Sequence, residues 1–179
     1  MDNAEESLGV IFSKKDYAGL IRRVVIAVVD LFVIFLISAA ILYVSDFFIY
    51  DEESYQKFNF ILIFLFSIWY LAFLKRSKVR TIGYILTNVK IVNLKGEKPS
   101  IFKMVLRALL LLLGPFELII DIIWLTQEAT KQTLRDKYVG TYVVNKKATP
   151  IGKAMLQTVN LGFMGWHLIY REVKETQIK

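Results

Sequence analysis

Val24–Val44 reads VVIAVVDLFVIFLISAAILYV, 21 residues with a single charge, Asp30. At about 1.5 Å per residue, a helix of this length crosses a hydrocarbon core of ~30 Å, so the stretch predicts a transmembrane helix. A cleaved signal peptide would have a shorter apolar region, about 7–15 residues, and would not follow a polar, partly acidic leader. Downstream, Phe58–Leu74 reads FNFILIFLFSIWYLAFL, 17 residues that predict a second span, with Trp69 and Tyr70 placed as interfacial anchors. A third hydrophobic segment, Ile101–Leu125, is interrupted by Gly114-Pro115, and beyond the break Glu117 and Asp121 lie four residues apart on one helical face. Proline removes a backbone hydrogen bond, so this segment predicts either one kinked span or a re-entrant hairpin of two half-helices.

Composition agrees with that patterning. The chain has 179 residues, of which 55% are hydrophobic, and a mean hydropathy of +0.47. Soluble domains run at roughly 45–50% apolar with those residues dispersed, whereas here they collect in three blocks between charged connectors. Without cysteine there is no disulfide framework, thiolate nucleophile or iron–sulfur site, and a single histidine excludes a histidine-cluster metal site. There is no Walker-type glycine loop, no G-x-S-x-G and no HExxH, so the expectation is a non-enzyme with no cofactor and no bound metal. Asp30 and Asp121 carry no glycine-bracketed aspartyl-protease motif.

Charge sets the expected orientation. The loop Ser45–Lys57 carries Asp46, Asp51, Glu52 and Glu53 against Lys57, while Lys75–Arg107 holds nine Lys and Arg against Glu97. Basic residues stay on the cytoplasmic side, which predicts a multi-pass membrane protein with a cytoplasmic N-terminus and an acidic outer loop. The net charge of +7 is then mostly topological, and the interleaving of exposed aromatics that nucleic-acid binding would need is absent. If the third segment crosses once, the basic tail from Thr126 falls outside; if it re-enters, the tail stays inside, in keeping with the charge rule.

The polar stretches predict a short cytoplasmic β-ribbon. Val89–Leu94 is β-branched and followed by the turn chemistry of Lys95-Gly96-Glu97-Lys98-Pro99, and Tyr138–Val144 is a second β-type run. A lone two-stranded ribbon is marginal in water, so this one would have to lie on the helices or the bilayer. After it, Thr149-Pro150 reads as an N-cap with proline at the first helical position. Ile151, Met155, Val159, Phe163, Trp166 and Tyr170 then recur at helical spacing, predicting an interfacial amphipathic helix. The expected architecture is therefore an all-α membrane protein apart from the ribbon. Its units are a leader over 1–19, a membrane domain over 20–145 with spans near 22–44, 58–74 and 101–125, and a C-terminal amphipathic helix and tail over 146–179.

A carboxylate at mid-membrane costs about 2.5–3.5 kcal/mol on insertion scales, which marks Asp30, Asp121 and Glu117 as candidate ion or proton sites. Arg23 precedes Asp30 by seven residues, within about 20° of the same helical face, and is the expected partner.

Three stretches in order resemble the RDD family of small bacterial membrane proteins. They are Tyr17–Asp30 (YAGLIRRVVIAVVD), Thr81-Ile82-Gly83 leading through Val89–Ser100 to Leu106-Arg107, and Gln132–Val144 (QTLRDKYVGTYVV). The resemblance makes Arg23, Asp30 and Asp136 the eponymous residues and implies a charge-partner role for Arg107; Arg135 stands where members often carry histidine. It also implies either sodium–proton antiport or a regulatory, accessory role beside other membrane proteins. In the first case Asp30, alone or with Asp121, would alternate between Na⁺ and H⁺ in a homo-oligomer, with Arg23 and Asp136 as gate or charge partners. In the second the chain would dock, through its tail, on a membrane protein or lipid.

Overall fold

The computed structural model describes residues 8–48, 51–111, 115–127, 129–163 and 166–173, without the side chains of 115–118, 161–163, 166 and 168. The short strand β1 (Leu8–Ile11) leads into α1 (Leu20–Asp46), the first predicted span. The second, α2 (Glu52–Ile68), continues through a π-helical turn and a half, Trp69–Leu74. Asp51 caps α2 by accepting from the Ser54 amide at 2.9 Å, and Glu52 and Glu53 lie in the first turn, where acids suit the helix dipole. The acidic loop thus starts a helix as well as opposing the basic connector.

These two helices are apolar and outward-facing. Only 11% of the most apolar window of α1 and 22% of that of α2 is buried inside the protein. A core helix of a soluble domain would be mostly covered, whereas Val28, Phe32, Phe35 and Leu65 are more than half exposed. Such a surface is stable only in lipid, and the chain is a membrane protein.

After α2, the five-residue α3 (Ile82–Leu86) leads to β2 (Val89–Asn93). The third hydrophobic segment forms two helices, α4 (Ile101–Leu111) and α5 (Pro115–Gln127), on either side of residues 112–114, which include Gly114 and lie outside the described residues. Then come α6 (Leu134–Val139) and β3 (Thr141–Asn145), separated by Gly140 at φ +69°, a left-handed helix stop. Tyr138 and Val139, expected in the strand, close α6 instead.

The expected ribbon is present: β2 and β3 pair antiparallel from Val89 with Asn145 to Asn93 with Thr141. Successive residues point to opposite faces. Val89, Ile91 and Val143 enter a core with Ile26, Tyr70, Tyr84 and Met104 of the helical body. Val92, Tyr142 and Val144 enter a second core with Val10, Phe12, Tyr17 and Val173. The ribbon is thus stabilised from both sides.

The second core corrects the sequence expectation for the C-terminus. The segment read as an amphipathic helix is a hairpin, β4 (Gly152–Phe163) and β5 (Trp166–Val173), and β4 also pairs with β1 to give the order β1-β4-β5. The spacings of four that suggested a helix are even, so a strand satisfies them equally. Glycines at 152, 162 and 165 weaken a helix by about 1 kcal/mol each and leave pairing with β1 to decide. The fold is therefore mostly helical with five described strands rather than all-α. Lys137 of α6 ties β5 down, with its ammonium 3.4 Å from Glu172 and over the Tyr170 ring.

Candidate functional site

Asp30 lies ten residues into α1 and is 2% exposed. Its partners come from the connector behind α2. Tyr70 Oη and the Gly83 amide donate to Oδ1 at 3.2 and 3.0 Å, Thr81 Oγ1 donates to Oδ2 at 3.1 Å, and the Lys75 ammonium sits 3.0 Å from Oδ2. The Ile82 amide donates to Tyr70 Oη at 3.3 Å, which orients the phenol. A π-helical turn shifts side-chain register relative to the α-helix before it, and Tyr70 lies in that turn, buried at 3% rather than anchoring at the interface beside the half-exposed Trp69.

Close approach of α3 to α1 depends on Gly83. A Cβ there would lie 2.8 Å from Asp30 Oδ1 and 2.8 Å from the Ile26 carbonyl oxygen. The Thr81-Ile82-Gly83 stretch therefore supplies both a hydroxyl and an amide to the carboxylate, and it can do so only without a side chain at 83.

Arg23 does not reach Asp30. Its Nη1 pairs with Asp136 Oδ2 at 2.5 Å and its Nη2 donates to the Lys131 carbonyl at 2.9 Å. Arg107 holds the other oxygen, Oδ1, at 2.7 Å, and Thr141 Oγ1 donates to the same atom at 3.3 Å. Asp136 is also the third residue of the α6 capping box: its amide donates to Thr133 Oγ1 at 3.1 Å, and its carboxylate accepts from the Thr133 amide at 3.4 Å. Helical periodicity put Arg23 and Asp30 on one face, but the long-range fold brings α6 to the arginine first. Burial alone would raise the Asp136 carboxyl, yet Arg107, Arg23 and Arg135 together hold it well below the usual carboxylate range.

Tyr84 links the two nodes. The Lys75 ammonium lies 5.3 Å from its ring centroid, and Arg107 Nη1 donates to its hydroxyl at 3.3 Å. Asp121 belongs to a third pair, accepting from Arg135 Nε at 2.5 Å and from the Arg135 amide at 3.4 Å. The side chain of Glu117 lies outside the described residues. Lys75, Thr81, Tyr70 and Gly83 were not singled out as site residues by the sequence. Only Thr81 and Gly83 left a signal, by standing in the second of the three stretches.

The partners sort the three aspartates chemically. Asp136 and Asp121 are each held by arginine, whose planar fork of N–H donors matches a carboxylate. Asp30 is held instead by the Lys75 ammonium, a point charge on a flexible stem, together with three neutral donors.

Outward-facing apolar helices and a charged cluster buried at their basic end define a membrane protein with an internal polar site. The sequence profile of the RDD family matches residues 17–140, and the chain belongs to that family. Comparison with curated proteins and with solved structures returns no match.

Proposed function

We propose that this chain exchanges a monovalent cation, Na⁺ in the first instance, for a proton at Asp30, as a homo-oligomer in a bacterial inner membrane with its N-terminus cytoplasmic. The observation that carries the reading is the Lys75 ammonium 3.0 Å from Asp30 Oδ2, with Thr81 Oγ1 and Tyr70 Oη also on the carboxylate. An ammonium occupies the place that a cation among oxygen atoms would take. In the exchange one Na⁺ takes the place of one proton at the Asp30 carboxylate, so one positive charge replaces another and the exchange is one Na⁺ for one H⁺.

The third hydrophobic segment is read here as re-entrant. α4 and α5 have 11 and 13 residues, about 16 and 20 Å, each short of a ~30 Å core. The strands before and after them share one ribbon, which supports a segment that returns to the side it left. Two spans and a half-deep hairpin enclose no route alone, so oligomerisation belongs to the proposal.

The test is Na⁺-dependent proton movement in vesicles containing the purified chain. Wild type is expected to exchange, and Lys75→Gln and Asp30→Asn to abolish exchange, with Lys75→Gln keeping wild-type assembly. A wild type inert at every pH sinks the reading. The alternative, an accessory subunit of another membrane protein, draws support from the α1 face bearing Phe32, Phe35 and Leu36, all at least half exposed. A stoichiometric partner that co-purifies in mild detergent and is lost on substituting those residues would favour it. Removing the tail would not discriminate, because β4 is paired to β1 and its loss would uncover Val10.

A further inference from the structure

Asn59 of α2 is 3% exposed, and neither its Nδ2 nor its Oδ1 has a hydrogen-bond partner among the described residues. A buried unpaired amide costs about 1–3 kcal/mol, and lipid offers no water to relieve it. A purely structural role does not account for it, since leucine would fill similar space without that cost.

Its position suggests a role. Asn59 precedes Tyr70 by eleven residues, which places the two within about 20° of one helical face and about 16 Å apart along the axis. Tyr70 holds Asp30, so Asn59 lies on the same seam farther toward the acidic-loop end. The Tyr55 hydroxyl, donating to the Leu42 carbonyl at 3.2 Å, fixes the register of α2 against α1 near that end. By contrast, the hydroxyls of Ser45 and Ser67 donate to carbonyls of their own helices, whereas the Asn59 amide is buried on the seam with both its polar atoms unpaired among the described residues.

We infer that Asn59 is the outer stop for the cation: its Oδ1 receives a partly hydrated monovalent ion, and its Nδ2 donates to water that accompanies the ion toward Asp30. Hard cations take oxygen ligands, amide carbonyls among them, and an ion needs an intermediate ligand to shed water over such a distance. This assignment rests on the exchange reading above and adds a residue to it.

The test uses the full chain in vesicles of phosphatidylethanolamine and phosphatidylglycerol, with Na⁺ as the probe, and compares wild type, Asn59→Leu and Asn59→Ser. Asn59→Leu is expected to melt in detergent at or above the wild-type temperature while the Na⁺ concentration for half-maximal exchange rises about tenfold or more. Asn59→Ser, which keeps an oxygen, is expected to shift it less. Unchanged Na⁺ dependence in Asn59→Leu, or a loss of melting temperature and exchange together, overturns the assignment and leaves the Asp30 reading standing. An inert wild type overturns both.

Discussion

Replacing Gly83 with alanine sets two effects of opposite sign against each other. Gly83 is helical with ordinary φ, so alanine is sterically allowed by its own backbone and should gain about 1 kcal/mol in helix propensity. Against this, the new methyl would sit 2.8 Å from both Asp30 Oδ1 and the Ile26 carbonyl oxygen, and 3.0 Å from Ile26 Cα. Two of those three atoms are backbone of α1 and cannot swing aside, so α3 must retreat by several tenths of an ångström. Overpacking of this kind costs about 1–3 kcal/mol. Retreat also stretches the 3.0 Å bond from the Gly83 amide to a carboxylate, a charge-assisted contact worth about 1.5–3 kcal/mol. These losses share one displacement and do not add in full, which leaves a net destabilisation of about 2–3 kcal/mol after the propensity gain. For a chain of this size that is about 4–12 °C in melting temperature. With three tryptophans and no cysteine, thermal unfolding in detergent is followed by intrinsic fluorescence. A Gly83→Ala variant melting at or above wild type would refute the close approach of α3 to Asp30.

Asp136→Asn leaves Arg23 and Arg107 facing a neutral amide in a fully buried site, and removal of one member of such a buried ionic set costs about 3–5 kcal/mol; yield and melting temperature in detergent should both fall. Because the Asp136 carboxyl is depressed in the folded state, its contribution is present above the unfolded pKa of about 3.9 and is lost as pH falls toward the folded value. The melting-temperature gap between wild type and Asp136→Asn should therefore stay constant from neutral pH to about 5 and close below about 4; a gap that closes instead as pH rises would contradict the assigned partners. Cysteines introduced at the exposed Ser100 and Lys147 should react with a membrane-impermeant maleimide from the same side, and one at Asp46 from the other; labelling of Ser100 and Lys147 from opposite sides would remove the re-entrant reading.

What could be read from the sequence follows the range of the interactions concerned. Both long helices were legible because lipid imposes length and apolarity on each one separately, whatever its neighbours. The β2 and β3 ribbon was legible because Val89–Leu94 and Tyr142–Val144 carry β-branched runs beside turn glycines. The C-terminal hairpin was not, since apolar residues four apart fit both periods and only the pairing of Gly152–Met155 with Leu8–Ile11 chooses between them. The site divides in the same way. Arg23 and Asp30 were visible from helical spacing and the cost of a charge in lipid, and Arg107 and Asp136 through the resemblance of their stretches to the RDD family. Their pairing was not, because the seven-residue spacing of Arg23 and Asp30 says nothing about α6, more than a hundred residues along the chain, whose capping box aims Asp136 at the arginine.

Within the limits of the family match, Tyr17 to Gly140, two buried carboxylates tie the helices together. Asp136 binds α6 to α1 through Arg23 and to α4 through Arg107, while Asp30 binds α1 to α3 and to the end of α2 through Gly83, Thr81 and Lys75. Each described helix of the membrane body except α5 is therefore held to α1 or α4 by one of two carboxylates, and Arg135 ties α5 to the same α6. Gly140 ends α6 one residue after the last of its helical positions, and the strands beyond it add a second core without adding a charge to either node. Loss of Asp136 should accordingly loosen the body as a whole, whereas substitutions in β4 and β5 should act on the second core and on the Lys137 contacts to Glu172 and Tyr170. Exchange at Asp30 would leave intact the arginine clamp around Asp136 that keeps the helices in place.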